Sequence, residues 1–224
     1  MAYLLRLIVL FVLTTHAGLL YAEEAGKIQR VKGTVSIINS AGTKVADKGD
    51  HVNTGDRLVA AKDSEALIRL KDRSTLIVRP ASEVIISEFK FEKGADDKIK
   101  TNLVVGSLRA ITGAIGTTNP NSVKYQAGTT TVGIRGTDID LAIIPKGGND
   151  RAGVYNYVNS GEVELSLATG ESLVVPKELT GFAPSEPKEG EQRLQLLNDR
   201  PAFFQSGAFD VLMQQLLAPR IPIR

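Results

Sequence analysis

From Lys27 to about Pro176 the apolar residues recur at every second position, and this alternation limits the chain to strands. Val31, Val35 and Ile37 alternate with Lys32, Thr34 and Ser36. Ala66, Ile68 and Leu70 alternate with Leu67 and Arg69. Ile139, Leu141 and Ile143 alternate with Asp138, Asp140 and Ala142, and Val163, Leu165 and Leu167 with Glu162, Glu164 and Ser166. Each run stops at turn chemistry, as at Asn39-Ser40-Ala41-Gly42, Lys48-Gly49-Asp50, Asn53-Thr54-Gly55-Asp56 and Pro145-Lys146-Gly147-Gly148-Asn149-Asp150. No amphipathic run of ten or more residues precedes residue 190. The expected architecture is all-β. At 224 residues and 42% hydrophobic content, the chain has material for one large core and is not disordered as a whole.

Gly33, Gly106 and Gly161 each stand ahead of a polar and then an apolar residue, an irregular echo that suits a coiled sheet entered from tight turns. The two ends differ from this body. Residues 1–22 contain one charge, Arg6, then Leu7-Ile8-Val9-Leu10-Phe11-Val12-Leu13 and a small residue, Ala22, before Glu23-Glu24. This reads as a secretory signal peptide cleaved after Ala22; an uncleaved anchor is the alternative, but His16 and Thr14-Thr15 interrupt the apolar run early. After cleavage no membrane span is expected. Residues 186–224 open with the polar, linker-like Glu186-Pro187-Lys188-Glu189-Gly190-Glu191. Beyond Pro201 a short helix is expected, capped by Ser206, with Phe209, Leu212, Met213 and Leu216 on one face. Docking on the end of the β-domain is the expected arrangement. Phe209, Leu212 and Leu216 are also candidates for an interaction surface.

The inventory for chemistry is thin. With no cysteine there are no disulfides, thiolate nucleophiles or thiolate zinc sites. His51 is the single histidine left after cleavage, and no hydrolase elbow, zincin helix or Walker loop is present. Asp138 and Asp140 point to one side of a strand, a spacing compatible with calcium binding or acid–base work; a solvated outer edge is the expectation. The formal charge of +2, without a basic cluster, argues against nucleic acid as a partner. Tyr155 and Tyr157 share one strand face and are a candidate stacking surface, although the chain has no tryptophan to build a strong sugar platform. Packing on a two-sided strand is the expected role for both.

Several elements together resemble the FecR domain, named for a periplasmic signalling regulator. They are the turn pair Gly49-Asp50 and Thr54-Gly55-Asp56, the strand with Ala66, Ile68 and Leu70, and the turn Asp72-Arg73-Ser74. Leu76-Ile77-Val78-Arg79-Pro80-Ala81-Ser82 follows, then Gly106-Ser107-Leu108-Arg109 and Gly133-Ile134-Arg135-Gly136-Thr137-Asp138-Ile139. Arg73 stands where the family usually carries glycine. The resemblance implies a coiled, solenoid-like β-sheet over residues 23–185, with a motif (Gly106, Leu108, Arg109, Gly133, Arg135, Gly136, Thr137, Asp138) that holds the fold together. Gly133 and Gly136 are expected to allow a tight turn, Arg135 to bridge carbonyls or a carboxylate across it, and Thr137 to satisfy neighbouring backbone groups.

The expectation is a stand-alone, non-enzymatic FecR-domain protein, periplasmic or secreted, without the cytoplasmic anti-sigma segment of a complete regulator. It needs no cofactor or metal and takes an envelope protein as partner. A cell-wall or polysaccharide-binding β-domain is the alternative.

Overall fold

The computed structural model describes residues 23–204, 207–210 and 213. Among them fifteen strands form one continuous, unclosed sheet that folds over on itself. The strands are β1 (Glu24–Lys32), β2 (Val35–Asn39), β3 (Gly42–Val45), β4 (His51–Asn53), β5 (Arg57–Ala60), β6 (Glu65–Leu70), β7 (Thr75–Val78) and β8 (Glu83–Lys90). They continue as β9 (Lys98–Ile111), β10 (Val123–Ala127), β11 (Thr130–Ile144), β12 (Gly153–Leu167), β13 (Ser172–Val175), β14 (Thr180–Pro184) and β15 (Gln195–Leu197). A five-residue helix, α1 (Ala114–Thr118), and a 3₁₀ turn (Pro120–Ser122) carry the chain from β9 to β10, which pair in parallel.

β9, β11 and β12 are long because each belongs to two layers. The second half of β9 pairs with β7 and β11; its first half pairs with β8 and β10. β11 and β12 pair along both halves and divide in the same way. The front layer runs β15-β14-β12-β11-β9-β7-β6-β1-β4, and the back layer runs β3-β2-β5-β8-β9-β10-β11-β12-β13. Between them lies one core, with Ile28, Ile68, Leu76, Leu108, Ile139 and Leu141 from the front and Ile37, Leu58, Ile86, Leu103, Tyr125 and Leu165 from the back. Burial pushes the Tyr125 phenol well above its ordinary value.

The three echoed glycines share one backbone state, with φ of 71°, 82° and 79° at Gly33, Gly106 and Gly161. Gly106 and Gly161 do not precede strands; they are the bends inside β9 and β12 where the chain changes layer. At Gly106 a side chain is excluded twice over, because φ is left-handed and a Cβ would land on Ser82 Oγ and the Ala81 carbonyl. The next amide, Ser107 N–H, donates to Ser82 Oγ at 2.7 Å. Hydroxyls of Ser64 and Thr112 accept in the same way from Thr34 N–H and Thr137 N–H, both at 2.9 Å. A short hydroxyl side chain thus replaces the ladder bond that each bend interrupts.

The β6–β7 turn keeps the geometry a glycine would give it. Arg73 sits at φ 69°. Buried Asp72 accepts from Ser74 N–H (2.9 Å) and Ser74 O–H (2.7 Å), and its second oxygen also accepts from Ile115 N–H at the start of α1 (3.3 Å).

Residues 186–204 are not a free linker. Glu186 and Glu191 pair with Lys146 and Arg151, and β15 adds a strand beside β14. Two arginine-bonded oxygens and backbone and side-chain donors hold the Glu191 carboxyl far below the usual range. The helix expected after Pro201 is present at 208–210, while Ser206, Leu212, Leu216 and the whole of residues 1–22 lie outside the described residues.

Candidate functional site

The outward face of the front layer carries the unusual chemistry. Strand register lays Leu67, Ile77, Arg109, Asp140, Tyr157, Thr180 and Leu197 in one row across it. A second row runs through Ser107, Ala142, Tyr155 and Phe182. Such a face is normally wet in an antiparallel sheet. Here β6 and β7 are buried on both faces, with Phe209, Asp210 and Met213 lying over them.

Each covering residue meets a matching part of the sheet. Phe204 packs with Ala142, Tyr155 and Phe182, and Phe209 and Met213 pack on Leu67 and Ile77. Burying anchors of this size contributes about 1.5–3 kcal/mol each. Arg200 lies over the Tyr157 ring at 5.1 Å and donates to Asp140 Oδ2 at 3.0 Å. Asp210 enters between two guanidinium groups. Arg79 Nη2 and Arg109 Nη1 donate to Asp210 Oδ1 at 2.9 and 2.6 Å, and Arg79 Nη1 pairs with Oδ2.

The acids of β11 complete the cluster. Arg109 holds Asp138 bidentately, with Nε 2.9 Å from Oδ1 and Nη2 2.5 Å from Oδ2. Arg79 reaches Asp140 Oδ1 at 3.3 Å, and Asn159 donates to both aspartates at 3.3 and 3.0 Å. Glu65 stands 3.9 Å from Arg79, with its Oε2 buried and, among the described residues, without a hydrogen-bond partner. Burial works against the charged form of both arginines. The carboxylates around them outweigh it and raise both above the ordinary value. Burial likewise opposes the charge of Asp210, and Arg79 and Arg109 overcome it and hold the carboxyl below its ordinary value.

Several sequence expectations are corrected by this arrangement. Asp138 and Asp140 are 8% and 2% exposed, so they are not a solvated edge: the tail covers them and arginines neutralise them. Every acid oxygen of that pair is engaged by a guanidinium or amide, which leaves neither free as a general base. Tyr155 is 5% exposed, stacked on Phe182 at 4.2 Å and edge-on to Phe203 at 5.0 Å, so it offers no open stacking surface. Phe209 is likewise buried against the sheet.

The motif residues divide by role. Leu108 is core, and Arg109 is the centre of the ion cluster. Gly133 makes no turn; it is a regular β11 residue opposite Lys124 and Glu164. The bend falls at Gly136, φ 62°. Arg135 is exposed and, among the described residues, reaches only Glu162, its cross-strand partner, at 3.8 Å. It is Thr112, not Thr137, whose hydroxyl satisfies the backbone there, accepting from Thr137 N–H and donating to Thr137 O at 2.8 Å. His51 sits at the rim of the sheet, 3.0 Å from Glu24. Among the described residues no group of three or more acids and histidines is placed to hold a metal ion, and no helix is long and apolar enough to cross a membrane.

Sequence reasoning missed Glu65, Arg200 and Asp210, and it quoted Arg79 only as part of a motif. The available signal was charge within buried strands: Glu65 and Arg79 flank runs that are apolar on both faces.

Residues 56–164, the stretch that runs from β5 to the far half of β12, match the family model described as FecR protein. This stretch belongs to the FecR family. A proposed anti-sigma factor from Parabacteroides distasonis ATCC 8503, solved at 2.50 Å, superposes with a TM-score of 0.50 at 9% identity. The alignment covers 71% of this chain and 63% of that one, so this chain spans less than two thirds of its neighbour. A second structure of the same description, at 1.65 Å, gives 0.47 and 9% over 71% and 64%. The likeness is one of fold. No functionally curated protein matches the chain. In this protein the FecR-matched stretch supplies Glu65, Arg79, Arg109, Asp138, Asp140 and Asn159 to the cluster. Arg200 and Asp210 come from outside the matched stretch.

Proposed function

We propose that this FecR-domain protein is an exported, non-enzymatic interaction module of cell-envelope signalling or assembly, with a polypeptide as its partner. One observation carries the reading: the FecR domain grips a polypeptide segment from outside itself through a paired-arginine seat flanked by apolar contacts. The locked carboxylates support a binding role over a catalytic one. The apolar stretch at residues 7–13 and the small residue Ala22 before Glu23-Glu24 support export, and a cysteine-free chain suits an oxidising compartment.

Expression of the full chain in a Gram-negative host, followed by fractionation and N-terminal sequencing, tests export. A chain beginning at Glu23 in the periplasm or medium is expected, and a cytoplasmic chain that keeps residues 1–22 would refute it. In-cell photocross-linking from exposed positions such as Val105 and Val174 tests the interaction role. Discrete cross-links to protein are expected; diffuse or absent ones under every growth condition would count against a polypeptide partner.

A further inference from the structure

We propose that the Arg79–Arg109 face of the FecR domain is an exchangeable peptide-binding site, occupied in cis by Arg200, Phe204, Phe209, Asp210 and Met213. Its partner is a polypeptide segment of the same chemistry: an aromatic residue, a glycine three positions on, and then a Phe-Asp pair. The proposal rests on the reading of the chain as an interaction module and names the site and the class of segment it takes.

The receptor half and the occupant half are separate in sequence. Both arginines lie within the family-matched stretch, and the occupant lies beyond it. Arg79 and Arg109 are each anchored by an acid of β11, Asp140 and Asp138, yet both also aim a donor at Asp210 Oδ1. With the segment lifted off, two guanidinium groups oriented by Asp138 and Asp140 remain directed at one vacant carboxylate position, and such a pair selects an anion in a defined place. Gly207 adds a steric requirement. A Cβ there would land on Glu65 Oε1 and within 2.6 Å of Arg79 Nη1, so the segment must carry glycine three residues before its aspartate. Phe204 and Phe209 fill apolar seats on either side, on Tyr155 with Phe182 and on Leu67 with Ile77.

The described part of the chain's own segment does not fill the site, which makes exchange feasible. Among the described residues it closes a cluster of four carboxylates, Glu65, Asp138, Asp140 and Asp210, around three guanidinium groups, Arg79, Arg109 and Arg200. Among the described residues the buried Oε2 of Glu65 accepts no hydrogen bond. A buried acceptor without a donor weakens the state that contains it. Beside it remains a cleft of about 330 Å³, lined by Glu65, Arg79, Ser107, Asp140 and Phe203 among others. A partner segment that extends an amide or ammonium donor into this cleft meets the acids Glu65 and Asp140 among its lining residues.

The test uses the full-length chain and a labelled synthetic peptide of residues 199–216, read by fluorescence anisotropy. In the wild-type chain the tethered segment competes at an effective concentration in the millimolar range, so the peptide is largely excluded. Asp210→Ala in the chain weakens the cis contact, and the peptide is expected to bind that variant at least tenfold more tightly than wild type. Asp210→Asn within the peptide is expected to lose at least tenfold, and Gly207→Val within the peptide to abolish binding. The chain variant Asp210→Asn repeats the experiment if Asp210→Ala fails to fold by circular dichroism. Equal binding of the Asp and Asn peptides overturns the proposal, as does a folded variant that binds no peptide at millimolar concentration. Dimerisation of the variant with wild-type chain through the wild-type segment overturns it in favour of a second copy as occupant. If the opened face binds nothing while in-cell cross-links persist, this site fails and the interaction-module reading stands.

Discussion

Arg109→Leu is the most informative single perturbation of this protein. It removes the bidentate bonds to Asp138 at 2.9 and 2.5 Å and the bond to Asp210 at 2.6 Å. Asp210 keeps Arg79, but among the described residues Asp138 keeps only the Asn159 amide at 3.3 Å. Breaking a buried pair from one side strands a charge and costs about 3–5 kcal/mol. Against a total stability of roughly 5–15 kcal/mol this is a large fraction, and for a chain of this size it lowers Tm by roughly 6–20 °C. Arg109→Leu combined with Asp138→Asn removes both charges and is expected to regain at least half of the loss, because no buried anion is left alone. Urea unfolding followed by far-ultraviolet circular dichroism measures both; guanidinium chloride is avoided because its ions screen the cluster. A single-variant cost under about 1 kcal/mol would place the pair with exposed ones. A double variant that shows the plain sum of the two single costs would likewise refute the reasoning.

Other consequences are testable in the same apparatus. Arg73→Gly relieves a left-handed residue at φ 69° and is expected to stabilise by roughly 1 kcal/mol; a loss of stability would show that the Arg73 side chain has a role of its own. Gly106→Ala is expected to cost roughly 2–4 kcal/mol, from left-handed backbone and the collision with Ser82 and Ala81. Gly128→Ala, at φ 55° in open space, is expected to cost only about 1 kcal/mol, and equal costs would remove the steric part of the argument. Tyr155→Ala is expected to cost roughly 3–5 kcal/mol through its lost stack with Phe182 and Phe203, with no change in sedimentation with peptidoglycan; altered sedimentation of the folded variant would contradict its buried place. The Asp210 carboxyl is held below its ordinary value of 3.8, so its contribution is fully present above that value and lost as pH falls through the lower folded-state value. The Gly207 amide, which donates to Asp210, is therefore expected to hold its NMR shift from pH 7 to 5 and to titrate below pH 3.8. A midpoint above 3.8 would reverse the sign.

The strands were readable because alternation reports which side chains share a face. It does not report what covers the other face. Asp138 and Asp140 share one side of β11, as alternation indicates, but that side is not solvated, because Arg200 and Asp210, far along the chain, close over it. The same distance hid Asp210, whose surroundings in sequence are unremarkable and whose partners, Arg79 and Arg109, belong to strands neighbouring in space. Gly33, Gly106 and Gly161 were visible as an echo, yet their shared work as layer-changing bends depends on Ser64, Ser82 and Gly136 across from them. Residues 186–197 read as linker from proline, glycine and charge. Their attachment depends on pairs with Lys146 and Arg151 and on the open edge of β14, which local composition does not contain.

The double membership of β9, β11 and β12 determines how the protein comes apart. A layer that shares three of its nine strands with the other has no seam along which to peel, since opening either one tears hydrogen bonds on both sides of Gly106, Gly136 and Gly161. Amides on the two halves of β9 should therefore exchange with solvent through one common opening, with similar free energies for Leu103 and Leu108. A body that opens only all at once passes a push on its front face to its back face by moving whole. The covering residues Arg200, Phe204, Phe209 and Asp210 stand outside this shared hydrogen-bonded body and are joined to it through side chains.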